Sequence, residues 1–289
     1  MNTVSEFKRA VKVDLKGVAT AEEALDKAGL TWEAEEHELV TVSGISCLTH
    51  KAIVRSDTKQ FIGVMGNDYH PLQNSIAFSF FDSICEKRNA LYEYAFIMEG
   101  GSQVVLRARV NGESEIRKND GIIQYIDLIN SFDGSRKFTC QFSIWRQICS
   151  NGLMGLKKEN KTAIRHTKNA EHRINEAMRI FGKSQSFFSH FIKASQTLAN
   201  KILTKKQVNA FLKQIDGEAK STRKKNIYEK ITDLYDSGKG TGKGTAWDLY
   251  NAYTEWLDHH RGTEDLRLYN SVLGATHMKE KAFDIALSI

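Results

Sequence analysis

The stretch Lys137–Arg173, KFTCQFSIWRQICSNGLMGLKKENKTAIRHTKNAEHR, decides how the rest of the chain is read, because a strand-like run gives way there to a basic, helix-like one. Phe138, Cys140, Phe142 and Ile144 alternate with polar residues, the period of a strand with one buried face. From Trp145 the alternation fails, and Ile148, Leu153 and Leu156 fit a short helix loosened by Gly152 and Gly155. The run Lys157–Lys161 is solvated. From Ile164 a helical pattern is expected: at about 100° per residue, Ala170, Ile174, Ala177, Phe181 and Phe188 share one arc. Arg165, Lys168, His172, Arg179 and Lys183 share the opposite stripe, which suits a polyanion backbone, although many surface helices carry such stripes.

Charge around this stretch is uneven. The chain of 289 residues has a net charge of +6, yet residues 151–230 alone hold 18 basic and 6 acidic residues, a balance of +12. Local basicity of this kind is the footprint of a partner that is nucleic acid or an acidic protein. No apolar run reaches the roughly 18 residues of a membrane span, and the N-terminus lacks the apolar core of a signal peptide. A cytoplasmic protein of the host cell, with no membrane partner, is the expectation.

Outward from that centre the fold class reads as α+β: an antiparallel sheet and hairpin part packed with helices, then a mainly helical C-terminal part. Residues 1–38 form a lead-in, with Thr20 capping a short helix that Gly29 ends and the acidic WEAEEHEL read as a solvated loop. Residues 39–195 form the core domain. It contains a meander (LVTVSG, KAIVRSD, QFIGVMG), a helix over IAFSFFDSICEKR and a Gly100-Gly101 hairpin. The strands IIQYIDLIN and KFTCQFSI then join through an Asp133-Gly134 turn. Residues 196–289 carry helices behind Thr204, Ser221 and Thr245 and a last one from about Leu266. Pro71 is the chain's one proline, which favours long helices after it.

Several chemical signals weaken on inspection. GKGTGKGT (Gly238–Thr245) has Ser237 and Gly244 where a phosphate-binding loop needs Gly and Ser or Thr, so an interhelical linker is expected. Cys47, Cys85, Cys140 and Cys149 lack metal-ligand spacing, and His259, His260 and His277 lack a carboxylate partner at such spacing; no metal or cofactor is expected. Asp127, Asp133 and His166 are the residues that would have to converge for a metal-dependent nuclease. Asp133 also reads simply as a turn residue. Phe132 and Trp145 stand beside Arg136 and Arg146, a pairing that suits stacking on bases plus phosphate contact; core packing is the ordinary alternative for both aromatics.

Four segments, Tyr69–Ile84 (YHPLQNSIAFSFFDSI), Ile129–Phe138 (INSFDGSRKF), Trp145–Leu156 (WRQICSNGLMGL) and Ile164–Ile174 (IRHTKNAEHRI), resemble the phage/plasmid-like family known as domain of unknown function 932. The likeness spans roughly residues 40–190. The family commonly places His between Ser and Asp of the turn, where this chain has Phe132. The resemblance implies a mobile-element origin and no established reaction. In architecture the chain is also similar to single-strand annealing proteins of the Rad52 and phage recombinase type, which form rings or filaments on single-stranded DNA.

The resulting expectation is a non-enzymatic protein that binds single-stranded DNA and promotes annealing or recombination as a homo-oligomer. The candidate contacts are Arg107, Arg109, Arg136, Lys137, Trp145, Arg146, Lys157, Lys158, Lys161, Arg165, Lys168 and Arg173. A metal-dependent nuclease is one rival. An interaction protein, such as a phage inhibitor of a host factor that docks its basic helix on an acidic surface, is the other.

Overall fold

The acidic stretch read as a loop is a strand. In the computed structural model, which describes residues 10–148, 152–153, 161–170 and 186–289, β2 (Ala34–Val40) pairs with β3 (Ser46–Arg55), and β3 pairs with β4 (Phe61–Gly66). The meander is antiparallel, as expected, but begins earlier than the apolar pattern suggests. Glu36 reaches Lys51 at 2.7 Å and Glu35 reaches Lys59 at 2.9 Å. Opposite charges on the neighbouring strand and in the β3–β4 turn thus meet a segment with few apolar residues.

The described residues divide into two compact units. In the first, β1 (Val11–Asp14), β5 (Ala90–Met98), β6 (Gln103–Val110), β8 (Asp120–Ser131) and β9 (Phe138–Arg146) follow one another in an antiparallel sheet, and β11 (Lys161–Ile164) pairs with β9. Two helices accompany this sheet. Thr20 caps α1 (Ala21–Lys27) by accepting from the Glu23 amide, as its sequence predicts. Helix α2 (Asn74–Arg88) ends on Asn89 in the left-handed region. Trp32, Ala34, Ile53 and Phe132 form a buried cluster in this unit, with Ile62, Met65 and Tyr69 against it.

The second unit takes the start of β8 and the end of β9, which pair with β7 (Ser114–Arg117) and β10 (Gly152–Leu153). Its helices are α3 (Ser186–Asn200), α4 (Lys205–Asp216), α5 (Thr222–Ser237), α6 (Ala246–Glu255), α7 (Glu264–Tyr269) and α8 (Thr276–Ser288). Thr204, Ser221 and Thr245 cap α4, α5 and α6, and the caps of α4 and α6 are reciprocal capping boxes. Every residue of α6 is buried, so it is the central helix of this unit. Trp247 and Tyr250 on α6 pack with Phe191 and Phe283, the last two stacked at 5.2 Å. The α+β class is therefore as expected, with antiparallel sheets early and helices late. No helix among the described residues is long and apolar enough to cross a membrane.

The helix expected from Ile164 does not begin there. Residues Lys161–Ile164 form β11 in register with β9, from Lys161 opposite Gln141 to Ile164 opposite Phe138, and bends and turns follow to Asn169. His172, Arg179 and Lys183 of the expected stripe lie outside the described residues. Similarly, β9 continues through Trp145 and Arg146, where the alternation had been taken to end.

Candidate functional site

Three of the four motif segments meet in the first unit. Asn130, fully buried near the end of β8, donates through Nδ2 to the Leu72 carbonyl at 2.8 Å and to Asn74 Oδ1 at 3.1 Å. The Tyr69 hydroxyl donates to the Ser131 carbonyl at 3.0 Å. The third segment closes on the first: the His70 amide donates to the His166 carbonyl at 3.1 Å, and the Leu72 amide to His166 Nδ1 at 3.4 Å. Tyr69 and His166 stack with ring centroids 5.3 Å apart. Pro71 suits this crossing, since it fixes the chain while leaving no N–H to satisfy between two amides that are both used.

His166 is 7% exposed. Burial pushes its pKa down to about 4, against a smaller upward pull from Asp133, so the ring is neutral near pH 7. Because Nδ1 accepts from Leu72, the ring proton sits on Nε2. That atom has no hydrogen-bond partner among the described residues. A buried N–H donor without an acceptor is costly and is suited to receive a ligand oxygen.

Asp133 organises the adjoining turn, where Gly134 has φ +70°. Its Oδ1 accepts from Ser131 Oγ, the Ser135 amide and Ser135 Oγ, and its Oδ2 accepts from Gln103 Nε2 at 3.0 Å. Burial alone would raise this carboxyl; the hydrogen bonds from Ser131, Ser135 and Gln103 outweigh it and hold the pKa below the usual carboxylate range. Gln103 Oε1 in turn accepts from Arg136 Nε at 3.3 Å, fixing that guanidinium beside the turn.

The sequence-predicted contacts separate into distinct environments. Lys137 precedes and Arg165 follows the terminal β9–β11 pair, Phe138 opposite Ile164. Both are exposed, as is Lys168, and none of the three has an ion-pair partner among the described residues. Arg136 is half-buried in the same turn. Arg136 and Lys137 adjoin the Asp133 turn, and Arg165 and Lys168 flank His166 in sequence. Arg109 lies half-buried on β6, in register with Leu91 and Tyr125. Trp145 is half-buried on β9 opposite Gly152, in the second unit. Lys161 sits on β11, while Lys157, Lys158 and Arg173 lie outside the described residues.

Two of the twelve are corrected. Arg107 is 1% exposed and forms a forked ion pair with Asp127, its register partner on β8, at 2.6 and 2.8 Å. Its guanidinium also lies 5.0 Å from the Phe96 ring centroid and 5.2 Å from that of Tyr125. Arg146 is 0% exposed and forks onto Asp120 at 2.5 and 2.6 Å. Buried pairs of this geometry are committed to the fold and cannot turn outward to a phosphate. The Asp127, Asp133 and His166 trio does not converge, since Asp127 is held by Arg107. Phe132, weighed for base stacking, is fully buried with its ring 5.0 Å from Trp32.

The glycine-rich loop is also corrected, within the second unit. Rather than a loose linker it is a fixed acceptor of cations: the Gly240 carbonyl accepts from Arg146 Nη2 and Arg117 Nη2, both at 2.7 Å, and the Lys239 carbonyl from Arg146 Nη1. Asp248 holds the other side, accepting from the Lys243 and Thr245 amides and from Arg117. A phosphate cradle presents N–H groups. Carbonyls turned to guanidinium groups are the opposite arrangement.

The sequence reading missed the clasp formed by Tyr69, Leu72, Asn130, Ser131 and His166. Its signal was the recurrence of small polar residues at the ends of apolar elements, which marks backbone groups needing side-chain partners. A family model described as Domain of unknown function (DUF932) matches residues 61–280. No curated protein and no solved structure matches the chain, so the likeness to annealing proteins has no structural neighbour behind it.

Proposed function

We propose that this chain, which belongs to the family of the domain of unknown function DUF932, is a nucleic-acid-binding protein. It binds single-stranded DNA through the turn at Asp133–Lys137 and the segment Arg165–Lys168, and copies of it assembled as a homo-oligomer promote annealing. The observation that carries this reading is the β9–β11 register. It sets Lys137 beside Arg165, both exposed and without ion-pair partners among the described residues, with Lys168 close in sequence. Arg136, steadied by Gln103, adds a fourth cation. Two half-buried cations of this unit are by contrast answered by carboxylates, Lys51 by Glu36 and Arg55 by Asp57. Lys137, Arg165 and Lys168, without ion-pair partners among the described residues, suit phosphate, and a neutral His166 can add a donor without adding charge.

Copies of the chain lined along one strand turn several weak phosphate contacts per subunit into stable binding, which is the advantage of an oligomer here. No cofactor enters the mechanism: Lys and Arg displace counterions from the backbone, and two coated strands can pair once their mutual repulsion is reduced.

The test is fluorescence anisotropy of labelled single- and double-stranded oligonucleotides across a salt series. Reversing Lys137, Arg165 and Lys168 to Glu is expected to weaken binding to all sequences alike. It should also flatten the slope of log affinity against log salt by about 2, at about 0.7 per phosphate on a single strand. Reversing the exposed Lys239 and Lys243 should change neither. Binding and slope that survive the first set of reversals in folded protein would sink the assignment. A stoichiometric acidic protein retained in place of DNA would favour the interaction-protein reading.

A further inference from the structure

The second unit contains a cavity of about 310 Å³ among α4, α5, α6 and the segments that follow them, far in character from the exposed cations of the first unit. Its inner wall is apolar and aromatic, formed by Leu212, Ile227, Ile231, Tyr228 and Trp256. At its rim stand Arg223, Lys224 and Arg261, with Asp216 as the one carboxylate. Arg223 and Lys224 occupy the first turn of α5, a helix of 16 residues capped by Ser221, which also lines the cavity. The helix start adds its own positive potential to the three side chains.

A second and independent feature points to a ligand. Tyr253 lines the cavity and is 2% exposed, yet its hydroxyl has no hydrogen-bond partner among the described residues. Tyr253 lines the cavity together with Asp216, Arg261 and Tyr228. Neighbouring polar groups are by contrast satisfied: Tyr228 donates to the Leu212 and Gly217 carbonyls, and Lys224 to that of Asp216. Arg261 lies with its guanidinium carbon 5.8 Å from the Trp256 ring centroid.

We propose that this cavity is a binding site for a mononucleotide, with the base against Tyr228 and Trp256, its edge bonded to the Tyr253 hydroxyl, and the phosphate at the α5 start among Arg223, Lys224 and Arg261. The volume is at the lower end of the usual range for small-molecule pockets, about 300 to 1,000 Å³, which suits one nucleotide and not a longer piece of strand. Asp216 is placed to accept from an exocyclic amine. An inorganic anion alone would use the rim and leave both the aromatic wall and the Tyr253 hydroxyl unused.

Isothermal titration and thermal shift on the full chain test this with the four nucleoside monophosphates, inorganic phosphate and benzoate. At least one nucleoside monophosphate should bind saturably, at one per chain, and raise the Tm, while phosphate and benzoate do not. Tyr253→Phe should leave the unliganded Tm unchanged or higher, because the lost hydroxyl has no partner, and should weaken the nucleotide about five-fold, the worth of one hydrogen bond. Arg223→Glu, at an exposed position, should abolish binding. The proposal fails if no nucleotide binds, if benzoate or phosphate binds as well as the nucleotides, or if Tyr253→Phe binds like the parent.

Discussion

Acidification should unfasten the clasp around His166, and burial of the ring gives the effect its sign. In the unfolded chain the imidazole has a pKa of about 6.5; burial in the folded chain pushes it down to about 4. The unfolded state therefore binds more protons throughout that interval, so stability is fully present above pH 6.5 and is lost as pH falls toward 4. Between about pH 7 and pH 4.5 this one residue should remove about 2 kcal/mol, a substantial share of the 5–15 kcal/mol typical of a domain. Protonation also ends the Leu72 N–H···Nδ1 bond, since Nδ1 then carries a proton of its own. The assay is urea unfolding at steps across this range for the parent and for His166→Gln, whose amide oxygen can still accept from Leu72 but does not titrate. The parent should lose about 2 kcal/mol more than the variant over the range, and the imidazole followed by NMR should titrate near 4. Parallel profiles, or a ring that titrates near 6.5, would refute the buried neutral His166.

Asp120→Asn removes the charge that pairs with Arg146 and Arg117 and accepts from Trp247 Nε1 at 3.0 Å. It should cost about 3–5 kcal/mol, the usual loss when one partner of a buried pair goes, read as a fall in denaturation midpoint. Thr204→Ala breaks the reciprocal cap with Gln207 at the start of α4 and should cost about 1 kcal/mol by the same readout. Of the described cysteines a thiol reagent near pH 8 should label Cys47 first, because hydrogen bonds with Thr49 lower its pKa, while burial pushes Cys85 up to about 12 and also raises Cys140 well above the usual thiol value. Labelling of Cys85 on α2 or Cys140 on β9 at the rate of Cys47 would show that the core of the first unit opens. Phe132→Ala should cost about 3–5 kcal/mol from the cluster with Trp32 and Ile53, visible as a lower Tm.

Features governed by residues close in sequence were legible before any coordinates. Thr20, Thr204, Ser221 and Thr245 cap the helices that follow them because a cap needs only an oxygen two or three residues ahead of a free amide. The turn at Asp133-Gly134 and the hairpin at Gly100-Gly101 are local in the same way, Gly100 at φ +68° and Gly101 at φ +100°. The strand Ala34–Val40 escaped because its stabilising partners, Lys51 and Lys59, lie well along the chain, and without them WEAEEHEL has only the look of a solvated segment. The start expected for a helix at Ile164 was wrong for the same reason: Lys161–Ile164 is held by the edge of β9, while Ile174, Ala177 and Phe181 of the expected apolar arc lie outside the described residues.

The arginines sharpen this distinction between local and long-range information. Arg107 and Arg109 looked alike, alternating with apolar residues on one strand, yet Arg107 is the one whose register partner is Asp127, an acid flanked by apolar residues inside β8. A single charge inside an apolar strand is too costly to bury unless an opposite charge meets it, so two such residues on consecutive long strands are a signal that they face each other. Arg146 obeys the same rule with Asp120, at the far end of β8. Lys137, Arg165 and Lys168 do not, because they stand in or beside turns where water can solvate them and no acid has to follow. The basic balance of the chain is therefore a poor guide until each cation is asked whether an acid is obliged to answer it. Lys137, Arg165 and Lys168, at the end of the β9–β11 pair, are cations that no acid is obliged to answer, and the proposed phosphate contact is argued from them.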